Sequence, residues 1–464
     1  MNEKLTYEDL TLGEKAKEAF LQGKSTEYII KHCPVYLNTN PVFGNLNVTD
    51  LVIAGVLGDL NILVIGNTGT GKTQLANDIY NYYFGKDKKI NGQGIKIRAH
   101  PEIDIYNEIF TRLNIEKAQR ELTENCDALI YFVDELNRCP PVAQNQFFGL
   151  GDGMMDFHGN SIRLGKEGYN LLLATANLGN GEYQGTFETD KALYNRLAIA
   201  IDFDYPQFKP TKEDRMLIDL LRAADPRVKE APVRDISSKI LQANKEIEEI
   251  ARNPGLEALA VINFLKFGLE NCLKYNSKEK TWPLSCQDCN HNKGDKNQPS
   301  EIADYSICSL INAPTQRTIN ATLKYAAALQ YLMKLKNPNE PVNTRDLLFK
   351  AFELTGAYQY LLNPGVLKQE FCDQNPKMMA AVVDKLKSDY SNVEEFIVAG
   401  LEAAEQGQKL EEFFEYDGRI GNYNELSEKA QKTVTKIEPF TDKGKLGFEW
   451  VKTLIELTCK LKRK

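Results

Sequence analysis

The chain has 464 residues, 42% hydrophobic and 26% charged, with 57 basic against 64 acidic side chains and a formal net charge of −7. That much apolar material fills two or three cores, so more than one domain is expected, and the acidic balance argues against broad nucleic-acid binding. The start, Met1-Asn2-Glu3-Lys4-Leu5-Thr6-Tyr7-Glu8, has no apolar signal core, and the longest apolar region, Leu51 to Ile65, is broken by Asp59 and Asn61, so a cytoplasmic protein with no membrane span is expected.

After an N-terminal helical extension (1–39), short apolar runs alternate with longer helical stretches to about residue 205. The runs are Ile62 to Ile65, Ile95 to Ala99, Ala128 to Val133, Asn170 to Ala174 and Ala198 to Phe203. Five buried strands joined by helices predict an α/β fold with a parallel, helix-covered sheet over 40–208. The first run leads directly into Gly66-Asn67-Thr68-Gly69-Thr70-Gly71-Lys72-Thr73, followed by a helical pattern from Gln74 to Phe84. A glycine-rich turn between a buried strand and a helix aims several backbone N–H groups, and the helix dipole, at one anion. This predicts nucleotide phosphate binding, with Lys72 reaching the β- and γ-phosphates and the Thr73 hydroxyl ligating Mg²⁺.

The run Ala128 to Val133 ends in Asp134-Glu135. Both carboxylates are expected at the carboxyl edge of the sheet, beside the phosphate loop, with Asp134 holding Mg²⁺ and Glu135 acting as general base. Next, Gly151 to Leu164 reads as a β-hairpin, since alternating apolar residues flank Gly159-Asn160. Its Met154, Met155 and Phe157 either grip a partner chain or pack on their own domain. The run from Tyr169 ends in Asn177, whose amide can orient an attacking water. In Ala192 to Leu197, a helical segment presents Arg196 just before the last strand.

Beyond Tyr205-Pro206 the apolar spacing becomes helical, giving a second domain over 209–362 and a further helix-rich region over 363–464 after Asn363-Pro364-Gly365. With no export signal, the nine cysteines are expected to be reduced thiols. Within a polar insertion at about 281–312, Cys286, Cys289, His291 and Cys308 supply four ligands at a spacing that suits a structural Zn²⁺; the alternative is a metal-free loop.

Taken in order, these motifs resemble an AAA+ ATPase of the MoxR-like family over roughly residues 40 to 362. Gly66 to Thr73 resembles its Walker A loop, and Val133-Asp134-Glu135-Leu136-Asn137-Arg138-Cys139-Pro140-Pro141 its Walker B signature. Asn177 matches sensor 1. Gly181-Glu182-Tyr183-Gln184-Gly185-Thr186, Asp190 to Arg196 and Asp204-Tyr205-Pro206 match later family segments, and Ala313-Pro314-Thr315-Gln316-Arg317 opens a long helix as the family's Ser-Pro-Arg does. The chain departs from the pattern at Asn67-Thr68, Asn195 and Gln316.

The resemblance implies a P-loop NTPase αβα sandwich followed by an all-α lid. It makes Arg196 an arginine finger for the neighbouring subunit's nucleotide, with Arg138 a competing intersubunit contact, and Arg317 sensor 2, acting in cis or in trans. It also makes the hairpin at about 151–168 a helix-2 insert. The activity implied is Mg²⁺-dependent ATP hydrolysis in a ring, a hexamer in the family, that remodels protein partners, some carrying a von Willebrand A domain. A nucleic-acid-handling motor or loader and a nucleotide-gated scaffold with slow turnover stay open as alternatives.

Overall fold

The structure is a computed structural model that describes residues 4–85, 93–177, 186–225, 227–270 and 307–405. It divides into two compact units, Met1–Ala251 with Lys324–Val342, and Arg252–Leu323 with Asn343–Lys464. These limits differ from the expected 1–39, 40–208, 209–362 and 363–464. The N-terminal helices belong to the first unit, and the helix Gln316–Lys336 gives residues to both.

In the first unit, short helices α1 (Tyr7–Leu10), α2 (Gly13–Leu21) and α3 (Thr26–His32) precede the strand pair β1 (Pro41–Phe43) and β2 (Leu46–Asn47) and the buried helix α4 (Val48–Leu57). Strand β3 (Ile62–Gly66) and helix α5 (Lys72–Phe84) follow, then β4 (Gly94–Arg98), a hairpin of β5 (Thr111–Asn114) and β6 (Gln119–Leu122), and β7 (Ile130–Asp134). Helices α6 (Pro141–Gln144) and α7 (Phe147–Asp152) lead to a second hairpin, β8 (Met154–Phe157) and β9 (Asn160–Arg163). Strand β10 (Leu171–Asn177), helix α8 (Lys191–Tyr194), strand β11 (Ile199–Asp202), and helices α9 (Lys212–Arg222) and α10 (Ser237–Arg252) complete the run.

Five strands form one wholly parallel sheet in the order β11-β3-β10-β7-β4. Residues of β3, β7 and β11 are buried throughout, as continuous apolar runs with helices on both faces require. The expectation that all five strands are buried fails at β4. As an edge strand it buries Ile97 but exposes Lys96 and Arg98, and charges on an unpaired edge discourage further pairing. This is a P-loop αβα sandwich.

The hairpin expected over 151–164 is present, but its two-residue turn is His158-Gly159, because Phe157 pairs with Asn160. Both turn residues have positive φ, 49° and 79°, as a type I′ turn needs. Phe157 lies 6.2 Å from the Tyr106 ring, whereas Met154 is 42% exposed. Its assignment as a helix-2 insert is corrected by chain order. Residues 154–163 follow β7, the third core strand, while a second-helix insert must lie between β4 and β7. The hairpin there is β5–β6, which the sequence reading did not anticipate.

Residues 4–39 are built into the unit. Ala16, Ile29, Cys33 and Leu37 share a small core with Leu217 and Leu221 of α9. Thr39 N–H donates to Asp214 Oδ2 at 2.7 Å, and Lys17 pairs with Asp214 Oδ1 at 3.0 Å. The N–H groups of Val35 and Tyr36 donate to Asp78 Oδ2 of α5 at 3.0 and 2.7 Å. Burial raises the Asp78 carboxyl to about 7 despite those bonds.

The described part of the second unit is helical: α11 (Leu256–Glu270), the start of Gln316–Lys336, Thr344–Gly356, Pro364–Phe371, Asn375–Glu405 and the short Ile307–Leu310. Tyr390 joins three of these helices edge-on, 5.1 Å from Phe264 and 5.9 Å from Phe349. Among the described residues, no helix is long and apolar enough to cross a membrane.

Candidate active site

Parallel register fixes which side chains meet at the carboxyl edge. Asn177 pairs with Gly66, and Ala174 with Val133, so Thr175 stands level with Asp134. The strand that ends in Asn177 therefore lies between the strand that opens the glycine-rich loop and the strand that ends in Asp134. A cleft of about 280 Å³ opens there, lined by Thr68, Gly69, Lys72, Thr73, Glu135, Arg138, Thr175, Ala176, Asn177 and Thr186.

The loop turns through Gly66, Gly69 and Gly71 at φ 146°, 85° and 91°, a region side-chain-bearing residues rarely enter. A Cβ at Gly71 would also come within 3.1 Å of the Tyr36 ring, which stacks on Phe203 at 5.6 Å. Lys72, 6% exposed, folds back so that Nζ donates to the carbonyls of Gly66 at 2.8 Å and Asn67 at 2.7 Å. Burial pulls its ammonium below the usual lysine range, against the opposing effect of Asp204, Asp134, Glu135 and Asp202. Asp204 also ties the loop to the end of β11, because Asn67 N–H donates to its Oδ2 at 2.6 Å.

The Thr73 hydroxyl donates to Asp134 Oδ1 at 3.1 Å, which brings a hydroxyl and a carboxylate together at the helix start. This all-oxygen donor set fits Mg²⁺, and the loop beside it fits the phosphates Mg²⁺ accompanies. Asp134 Oδ1 also accepts from Thr175 Oγ1 at 2.7 Å, and that hydroxyl accepts from Glu135 N–H at 3.0 Å. Glu135 itself is left-handed, at φ 59° and ψ 45°. Its carboxylate is forked by Arg138, Nε to Oε2 at 2.8 Å and Nη2 to Oε1 at 3.0 Å.

Lys72, Thr73, Glu135 and Asn177 thus line one cleft, with Asp134 bonded to Thr73 beneath it. Arg196 does not join them. It precedes β11, and Asn61 Nδ2 at the amino end of β3 donates to its carbonyl at 2.9 Å. The length of β3, roughly 13 Å along the strand, separates that end from the loop. There Arg196 Nε pairs with Asp152 Oδ2 at 2.7 Å, and the guanidinium lies 4.4 Å over the Phe148 ring. Arg317 is exposed in the first turn of Gln316–Lys336, in the other compact unit.

Cys286, Cys289 and His291 lie outside the described residues, as do Gly181 to Gly185 and the side chain of Cys308. Among the described residues, no cluster of three or more His, Cys, Asp or Glu side chains is arranged for a metal ion. Thr175 and Asn137 were not singled out from sequence. The signal for Thr175 was a lone hydroxyl in the otherwise apolar run Leu171-Leu172-Leu173-Ala174-Thr175-Ala176.

No protein-family model matches the chain, and no curated protein does. Among solved structures, the chain is similar to one named a "putative ATPase" from Cytophaga hutchinsonii ATCC 33406. The match has 16% identity and a TM-score of 0.49, covering 81% of this chain and 91% of that one.

Proposed function

We propose that the chain is a cytoplasmic, Mg²⁺-dependent ATP hydrolase of the AAA+ type, close to the MoxR-like group, that works in a ring and remodels protein partners. The observation that carries this reading is the single cleft that gathers Lys72, Thr73, Glu135 and Asn177 over Asp134. On binding, Lys72 exchanges the Gly66 and Asn67 carbonyls for phosphate oxygens. Loop N–H groups cradle the same phosphates. Mg²⁺, held by Thr73 and Asp134, would supply charge neutralisation at the phosphates. Glu135 takes a proton from the attacking water, and the Asn177 amide orients that water.

Arg196 is held away from its own cleft by Asp152 and the Phe148 ring, and it would exchange that ion pair for a neighbour's nucleotide in the ring. Arg317 in the helical unit would report the nucleotide state. A partner with a von Willebrand A domain and a hexameric ring are the expected setting, and a Zn²⁺ held by Cys286, Cys289, His291 and Cys308 would stiffen the insertion.

The test is Mg·ATP turnover together with sizing. Glu135→Gln should bind nucleotide and assemble, yet lose about 100-fold or more in kcat, and Lys72→Ala should lose binding. Wild-type protein with no turnover, or a Glu135→Gln protein as fast as wild type, would sink the reading. Capture by the Glu135→Gln protein should recover protein; recovery of nucleic acid would favour a loader.

A further inference from the structure

The backbone ladder between β10 and β7 ends at Ala174 and Val133, although β10 stays paired with β3 as far as Asn177 and Gly66. Beyond Val133, the strand ends that carry Glu135 and Asn177 are joined by side chains. Thr175 makes one link, through Asp134 Oδ1 and Glu135 N–H. Asn137 makes the other. Only 4% exposed, it sits on the helical turn Leu136–Arg138 directly after Glu135. Its Nδ2 donates to Asn177 O at 2.9 Å, and its Oδ1 accepts from Asn177 N–H at 3.3 Å. Its own carbonyl accepts from Phe187 N–H at 2.7 Å. A side-chain amide therefore does what a paired backbone residue would have done, and its two ends are matched to the two ends of Asn177.

This matters because Glu135 is held in a left-handed conformation. A non-glycine residue persists in such a conformation only when its surroundings over-determine it. The amide of Asn137 is the clamp on the far side of that strained residue.

We infer that Asn137 is a positioning residue: its amide splints Asn177 to the turn that carries Glu135, and so sets the separation of the two groups that must hold one water. The inference rests on the hydrolase reading above. Asn137 is not among the residues that line the cleft. It acts by holding two groups in register, so its loss should change kcat and leave nucleotide binding intact, because the bonds of Lys72, Thr73 and Asp134 do not pass through it.

The experiment measures kcat, KM and Mg·ADP affinity for wild type, Asn137→Ala, Asn137→Asp and Glu135→Gln. A misplacement of about 1 Å can cost about 100-fold, so a fall of about 10- to 100-fold in kcat is expected for Asn137→Ala, with ADP affinity within about threefold. Asn137→Asp keeps size and shape but turns an oxygen toward the Asn177 carbonyl in place of the Nδ2 donor. It should fall as far as Asn137→Ala, which packing alone would not predict, and it keeps the test open if the alanine variant fails to fold. If Asn137→Asp turns over normally while Glu135→Gln does not, the inference is overturned and the hydrolase reading stands. Parallel loss of ADP affinity and kcat also overturns it, since that marks a structural role. If wild type shows no turnover, the hydrolase reading fails and takes the inference with it.

Discussion

Gly13, at the start of α2, offers a test of how far the N-terminal helices govern the phosphate loop. A Cβ built there would lie 1.9 Å from Tyr36 O and 2.7 Å from Leu37 Cα, both backbone atoms that cannot swing aside. Ordinary contact begins near about 3.5 Å, so Gly13→Ala must push the Tyr36 segment by roughly 1.5 Å. That segment is not free to move. Val35 and Tyr36 donate to Asp78, and the Tyr36 ring rests against Gly71 and Phe203. A hydrogen bond is worth about 0.5–1.5 kcal/mol to a neutral carboxyl and about 1.5–3 kcal/mol to a charged one, so losing two at Asp78, which is raised to about 7, should destabilise by about 3 kcal/mol near neutral pH. For a unit of this size, this is roughly 6–12 °C in Tm. Thermal melting with and without Mg·ATP reads both effects, since displacement of Tyr36 should also weaken nucleotide protection. The sign is decisive: helix propensity alone predicts that alanine stabilises by up to about 1 kcal/mol. A Gly13→Ala protein that melts within about 2 °C of wild type, or higher, and binds nucleotide equally well would refute the reasoning.

Burial raises Asp78 to about 7 and Asp59 to about 6. From about pH 4 to 7 the folded state keeps the Asp78 proton that the unfolded chain releases, so stability falls as pH rises through that window, by on the order of 3–4 kcal/mol for Asp78. Asp78→Asn should flatten the decline of Tm between pH 5 and 8; an unchanged slope would show that Asp78 does not hold the proton. Arg138→Gln breaks the fork on Glu135 between groups that are 48% and 34% exposed, so stability should change by no more than about 1 kcal/mol. With both Glu135 oxygens freed, kcat should rise; a fall would place Arg138 among the groups that act on the phosphates.

The sheet was legible because buried parallel strands are written as uninterrupted apolar runs, and Ile62 to Ile65 or Ala198 to Phe203 hardly read otherwise. The loop was legible because its glycines, Lys72 and Thr73 are adjacent in sequence. What escaped were features whose logic spans distance or lacks turn chemistry. The β5–β6 hairpin exposes Leu113 at 63% and Ile115 at 85%, and it turns through Ala118 at φ 48° without glycine, so nothing local marks it. The Asp78 anchor joins residues 42 and 43 apart in sequence, and the Asn137 splint joins residues 40 apart. Asn137 stood inside a recognised motif, but its partner is the backbone of Asn177, and the register that brings them together is a property of the sheet.

The anchoring of residues 4–39 bears on how this α/β core can be divided or inherited. With Leu37 in a shared core, Tyr36 against Gly71 and Thr39 on Asp214, the phosphate loop is not a portable cassette that starts at residue 40. A gene fusion or recombination event with its junction there would separate the loop from the groups that shape it. Selection would then be expected to move these first helices together with the glycine-rich loop and its sheet, as one heritable module.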